Sequence, residues 1–86
     1  MNRQFIREQL VKQIERSSGM PFDETGCSDS SDLLKEGLLD SIAFLEMFLF
    51  IQKSFDIPIV DDDIANPKHT TLAGICKMVE EKRGSV

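Results

Sequence analysis

The chain has 86 residues and a mass of 9.7 kDa, which is the size of one small domain and leaves no room for a separate catalytic domain. Fifteen acidic against ten basic residues give a formal charge of −5 and a pI near 4.7, which argues against a nucleic-acid backbone or an anionic membrane as the main ligand. Two cysteines and one histidine are too few for a disulfide framework or a convincing zinc site, so we expect free thiols, no metal centre and a cytoplasmic protein.

The first predicted helix covers residues 2–17. Charged residues separate its apolar side chains, which recur at spacings of three and four residues. The apolar residues are Phe5, Ile6, Leu10, Val11 and Ile14. Gly19 and Pro21 predict its end, because glycine suits a left-handed cap and proline cannot continue a helix. The Ser-, Asp- and Gly-rich residues 19–39 form a long loop, in which we predict that a turn at residues 32–34 packs on the core.

The second predicted helix runs from residue 42 to residue 55 and is the most apolar element, but it is far shorter than the roughly 20 apolar residues of a membrane span. Asp40 or Ser41 can cap its first turn. A helical wheel predicts that five residues face the core: Phe44, Leu45, Phe48, Ile51 and Phe55. Five other residues fall on different sides of the wheel: Ile42, Glu46, Leu49, Phe50 and Lys53. Some of the apolar side chains among them must therefore face water or a partner.

The remaining chain predicts an extended segment, a short helix and a last helix. Pro58 places residues 56–60 in an extended conformation, and Asp61, Asp62 and Asp63 suit the first turn of a short helix. Four residues of the last helix lie on the core side: Leu72, Ile75, Cys76 and Val79. Residues 83–86 are expected to form a flexible tail. We therefore predict a single all-α domain over residues 1–86, with three main helices, one short helix and a long loop between the first two.

Ser41 is the residue best placed to carry chemistry. It lies between a long loop and an apolar helix, so we expect an exposed hydroxyl on a rigid element, beside helix N–H groups that favour an attached phosphate. A purely structural interpretation is equally open, because Asp-Ser before an apolar helix is often only a cap. No histidine is placed to activate Ser41, which makes a hydrolase the least favoured reading and predicts no catalytic residues.

Several short motifs resemble the acyl carrier protein family in order and spacing over nearly the whole chain: residues 38–42 (LLDSI), Glu46, residues 55–57 (FDI), residues 61–63 (DDD) and residues 71–72 (TL). The resemblance implies a bundle of three main helices plus a short one. It also implies that Ser41 is esterified by 4'-phosphopantetheine, which a phosphopantetheinyl transferase transfers from coenzyme A. The thiol of that arm would hold an acyl group as a thioester, so the chain would be a carrier and a substrate of other enzymes, not an enzyme.

The resemblance also implies which residues face partner enzymes with basic docking patches. Carried over residue by residue, they are Asp40, Ile42, Glu46 and Leu49 on the second helix, and Asp61 and Asp62 as a second acidic patch. This chain departs from the family pattern at Ile42, where leucine is commonest, and at Lys53, where the helix is usually acidic. Because Leu49 and Phe50 add apolar surface, we predict partners that dock with more apolar contact.

Two alternatives stay open. Residues 36–41 (EGLLDS) and 55–57 (FDI) also look like D-alanyl carrier proteins, which carry an aminoacyl group. The Gly-Gly pair that precedes the serine of peptidyl carrier domains is missing, so a free-standing, monomeric carrier is the better reading. From a different class, the chain could be an acidic helical adaptor that binds a basic partner and is never modified. The sequence does not reveal the cargo or the pathway.

Overall fold

The structure is a computed structural model, and it describes residues 2–84. Within that range the chain forms four α-helices and two 3-10 helices, with no β-strand: α1 (Arg3–Ser18), a 3-10 helix (Phe22–Glu24), α2 (Ser41–Phe55), α3 (Asp61–Ala65), a 3-10 helix (Pro67–Thr70) and α4 (Leu72–Gly84). The prediction of an all-α fold is confirmed. None of the helices in residues 2–84 combines the length and the apolar character that crossing a bilayer requires. The radius of gyration is 11.9 Å, close to the ~12 Å of a compact chain of this length.

Helix α1 begins and ends where its capping residues allow. The Asn2 side chain accepts a hydrogen bond from the Phe5 N–H at 2.8 Å, and Gly19 adopts the left-handed conformation (φ 77°) that ends the helix. The helix buries Ile6, Leu10 and Ile14. Phe5 differs from its predicted role, because its side chain is 44% exposed on the outer side of the helix.

The connection between α1 and α2 is fastened to the rest of the molecule at three points. The Phe22 N–H donates to the Glu15 carboxylate at 2.8 Å. Arg7 donates two hydrogen bonds to Asp29, at 2.7 and 2.9 Å, and these bonds hold the pKa of the Asp29 carboxyl below its ordinary value. Leu33 is fully buried, and its N–H donates to the Thr70 carbonyl at 2.8 Å. The predicted turn at residues 32–34 therefore does pack on the core.

Helix α2 supplies the core with as many buried side chains as α4 does, and three of those from α2 are phenylalanines. It buries five side chains: Phe44, Met47, Phe48, Ile51 and Phe55. The rings of Phe44 and Phe48 meet edge to face, with centroids 5.1 Å apart. The core assignment of Leu45 is wrong, because that side chain is 46% exposed, and Met47 occupies the core instead. A helix that is apolar nearly all round has no clear polar side, so its periodicity does not fix which face is buried.

The end of α4 holds the segment that follows α2. Arg83 Nη1 donates to the Phe55 carbonyl at 2.8 Å, which satisfies one of the free acceptors at the end of α2. Lys82 forms an ion pair with Asp63 at 2.9 Å. Burial alone would raise the pKa of Asp63, but hydrogen bonds from Lys82 and from the Val60 N–H outweigh it and the pKa is lowered. Because α4 extends through Gly84, residues 83–84 of the predicted tail are helical, whereas residues 85–86 lie outside the described range.

We expect Asp56→Gly to stabilise the protein. Asp56 ends α2 in the left-handed conformation (φ 52°, ψ 50°), which glycine adopts without the Cβ penalty. The expected gain in the free energy of unfolding is about 0.5–1 kcal/mol, since the penalty is partly offset by the greater freedom of glycine in the unfolded chain. Chemical denaturation measures the difference.

A matched control is Asp62→Gly, which removes the same charge from a position inside α3. There glycine should destabilise the protein by about a few tenths of a kcal/mol, because its helix propensity is lower than that of aspartate and the charge of Asp62 in the first turn of α3 complements the helix dipole. Changes of the same sign in both variants would show that the left-handed conformation of Asp56 carries no strain.

Candidate functional site

The backbone just before α2 is fixed by packing and by turns. Leu39 is 2% exposed, and its N–H donates to the Leu33 carbonyl at 3.1 Å. Between these two anchors the chain turns outward, and Gly37 takes a positive φ of 74° while its N–H donates to the Leu34 carbonyl at 3.1 Å. The chain therefore enters α2 from a point held in the core two residues ahead of Ser41.

Asp40, and not Ser41, caps α2. The Asp40 backbone is extended (φ −82°, ψ 178°), and its carboxylate accepts a hydrogen bond from the Ala43 N–H at 2.7 Å. The Asp40 carbonyl accepts the first helical hydrogen bond, from the Phe44 N–H at 2.9 Å. This arrangement decides between the two capping candidates and leaves the Ser41 side chain without a structural task in the cap.

The Ser41 side chain is exposed at the first position of α2. Among residues 2–84, none forms a hydrogen bond with its hydroxyl. The first N–H groups of a fifteen-residue helix lie beside it, and the positive end of the helix dipole favours a negatively charged group at this place. A phosphate attached to Ser41 would therefore be stabilised by the backbone and would displace no existing contact.

The solvent side of α2 carries a mixed apolar and charged surface. We call it the α2 outer face, and its members are Ile42, Leu45, Glu46, Leu49 and Lys53. The apolar members are 71%, 46% and 60% exposed, in chain order, and both charged members are exposed as well. Such a stripe at spacings of three and four residues is the kind of surface that a partner protein covers.

Phe50 does not belong to the α2 outer face. Its side chain is half-buried against the core, and its ring meets that of Phe55 edge to face with centroids 6.5 Å apart. Phe50 is therefore only partly exposed and its contact with partners stays a prediction, whereas Leu45 is an exposed apolar residue of α2. The wheel failed here for the same reason as for the core, because no polar stripe marks the boundary of the buried side.

The three acids of α3 have different surroundings. Asp61 and Asp62 are exposed in the first turn of α3, where the sequence predicted acids, and their role as a second acidic patch stays a prediction. Asp63 is half-buried and is held by Lys82 and by the Val60 N–H. Only the first two acids are therefore available to a partner.

The remaining reactive side chains lie apart from any catalytic arrangement. His69 Nδ1 is 2.7 Å from the Asp63 carbonyl oxygen, so that ring nitrogen is engaged with the backbone. Within the described residues no three His, Cys, Asp or Glu side chains converge as metal ligands would. Cys27 and Cys76 are both free thiols, the first half-buried and the second buried. Burial raises the pKa of Cys76 to about 11.

We expect the two thiols to differ strongly in reactivity. At pH 8 only roughly one Cys76 in a thousand is a thiolate, and thiol reagents attack the thiolate. Cys27 should therefore react with a disulfide reagent at least about 100-fold faster than Cys76 in the folded protein. Time-resolved release of the reagent's chromophore measures both rates.

The single variants Cys27→Ser and Cys76→Ala show which thiol gives the fast phase of the reaction with the reagent and which gives the slow phase. Cys27→Ser should leave only the slow phase, and Cys76→Ala only the fast one. A fast thiol in Cys27→Ser would contradict the burial of Cys76.

No protein-family model matches the chain, and no curated protein matches it. The function is therefore inferred from the residues and their geometry.

Proposed function

We propose that this chain is a carrier of the acyl carrier type, modified on Ser41 by 4'-phosphopantetheine. The observation that carries the proposal is the exposed Ser41 hydroxyl at the first position of α2, left free because Asp40 makes the cap. The four-helix architecture, with an ordered connection before α2, agrees with the bundle that the motif resemblance implies.

The chain's own residues explain how such a site would work. Leu39 and the Asp40 cap hold the backbone of Ser41 in place, so a transferase meets a hydroxyl presented from a fixed backbone position. Attachment would form a bond from Ser41 Oγ to the phosphorus that carries the pantetheine, and would break the phosphoanhydride bond of coenzyme A, so that adenosine 3',5'-bisphosphate leaves. The transferase must accept the hydroxyl proton, because no base of the described residues hydrogen bonds to Ser41. When attached, the arm supplies the thiol that carries cargo.

The surface around Ser41 supports repeated, short-lived encounters. Asp40, Glu46, Asp61 and Asp62 are exposed acids that favour partners with basic docking patches. The exposed apolar residues of the α2 outer face are few, so a complex can also dissociate readily. We expect a monomeric, cytoplasmic carrier with acyl cargo, and an aminoacyl cargo of the D-alanyl kind is the alternative within the class.

The proposal is tested by intact mass. The purified chain is incubated with coenzyme A, Mg²⁺ and a broad-specificity phosphopantetheinyl transferase. We expect a mass gain of one phosphopantetheinyl group and one additional fast-reacting thiol, with peptide mapping to Ser41. A chain that stays unmodified while a known carrier is modified in parallel would instead indicate the acidic adaptor.

A further inference from the structure

Charges of opposite sign lie along α2: Asp40 caps its first turn beside the α2 outer face, and Lys53 is the member of that face nearest the other end. Asp40 caps the end at Ser41, and Glu46 lies between the apolar members of the face. Lys53 lies in the last turn of α2 and is exposed. At 1.5 Å per residue it is about 10 Å from Glu46 and about 20 Å from Asp40 along the helix. No ion pair joins Lys53 to any of residues 2–84, so its charge is available to a partner.

This polarity restricts how a partner can dock. A protein surface that covers Ile42, Leu45 and Leu49 must also meet an acidic end and a basic end. Turning the same surface by 180° about an axis normal to the face would bring like charges together at both ends. Charges at the rim of an interface fix register and exclude wrong partners in this way. The charges of Asp40 and Lys53 therefore favour the docking direction that matches the Ser41 end of α2 to basic side chains of a partner.

We propose, on the basis of the proposed carrier function, that Lys53 is a specificity-determining residue of the docking surface. The partner that fits is a protein surface with an apolar groove, basic side chains at the end that receives Ser41 and an acidic side chain opposite Lys53. A surface that is basic along its whole length is repelled at Lys53.

The helix dipole gives Lys53 a second, purely structural benefit. A cation in the last turn of a helix is favourable whether or not a partner exists. That benefit affects stability and not the rate of encounter with a partner. A measurement of encounter rate therefore separates the two roles.

The experiment uses a broad-specificity phosphopantetheinyl transferase with a basic docking surface as the probe. We measure kcat/KM for modification of the wild type, Lys53→Glu and the control Lys77→Glu, which makes the same charge change on the exposed side of α4. At 50 mM NaCl, Lys53→Glu should raise kcat/KM at least threefold, and Lys77→Glu should change it less than 1.5-fold. The gain should largely disappear at 500 mM NaCl, because salt screens exposed charges.

A second arm tests the acidic partner group directly. Each Lys or Arg of the transferase docking surface is changed to Glu in turn, and every variant is assayed against the wild type and Lys53→Glu. At least one transferase variant should reverse the preference and favour the wild type threefold or more. If all chains are modified but Lys53→Glu and Lys77→Glu change kcat/KM equally, the proposed role of Lys53 is wrong and the carrier function still stands. The same conclusion follows if no transferase variant reverses the preference between the wild type and Lys53→Glu. An unmodified wild type would overturn the carrier function itself.

Discussion

Ser41→Ala should abolish phosphopantetheinylation completely while leaving the fold intact. The hydroxyl oxygen is the proposed point of attachment, and within residues 2–84 it takes part in no hydrogen bond that alanine would remove. Since Asp40 caps the helix, the free energy of unfolding should change by less than about 0.5 kcal/mol. Intact mass after incubation with coenzyme A and transferase, together with denaturant unfolding, measures both quantities.

Two control variants separate attachment from helix capping. Ser54→Ala removes an exposed hydroxyl near the other end of α2 and should be modified like the wild type. Asp40→Ala removes the cap, which should lower the free energy of unfolding by about 1 kcal/mol but leave the Ser41 hydroxyl in place. Modification of Ser41→Ala, or loss of modification in Ser54→Ala, would show that the attachment site lies elsewhere.

Gly74→Ala should be strongly destabilising, although alanine is normally the better helix former. An added Cβ at Gly74 would lie 1.8 Å from the Lys68 carbonyl oxygen, which belongs to backbone and cannot rotate away. The second 3-10 helix would have to move off α4. Overpacking of this kind costs about 1–3 kcal/mol, and we expect the upper part of that range because the contact is with backbone. The loss is a large part of the about 4–13 kcal/mol expected for a chain of this size.

Gly84→Ala is the matched control for this prediction. Gly84 also lies in α4, and an added Cβ there meets no atom within 4 Å. Its free energy of unfolding should change by no more than about 0.5 kcal/mol. Urea unfolding of the two variants at equal protein concentration makes the comparison. Equal stability of Gly74→Ala and Gly84→Ala would rule out close contact between the 3-10 helix and α4.

Local chemistry made the helix ends predictable. Gly19 ends α1 because its left-handed conformation needs a residue without Cβ, and this requirement is visible in the sequence. The start of α2 was predicted at residue 42, one residue late, because either Asp40 or Ser41 could cap the helix, and the carboxylate of Asp40 makes the cap. Signals of this kind involve residues only a few positions apart, so they need no knowledge of the tertiary structure.

The orientation of α2 was predictable only in part. Phe44, Phe48, Ile51 and Phe55 are buried as expected, but Leu45 is exposed and Met47 is buried. When most positions of a helix are apolar, the buried side is decided by what α1 and α4 offer, and this is not encoded in the helix's own periodicity.

Long-range polar pairs lay beyond sequence reasoning. Arg7 and Asp29 are 22 positions apart, and Arg83 and Phe55 are 28 positions apart. Many other cations and acceptors in the chain could have paired equally well. Only the assembled helices select these partners, and the order of the connection before α2 depends on that selection.

The candidate site combined predictable and unpredictable parts. Exposure of Ser41, Ile42 and Leu49 was expected from the sequence and is found in the structure. The sequence did not show that Asp40 alone would cap α2 and leave the Ser41 side chain free, because both residues could serve as the cap. The backbone geometry distinguishes them. Carrier function itself stays a prediction that the mass experiment decides.

The anchoring of α2 at both ends has a mechanical consequence. Leu39 is buried in the core just before the helix, and Arg83 donates a hydrogen bond to the carbonyl of Phe55, the last residue of the helix. A prosthetic arm on Ser41 would therefore turn about a stationary pivot, and the volume that its thiol sweeps would be set by the length of the arm rather than by motion of the protein.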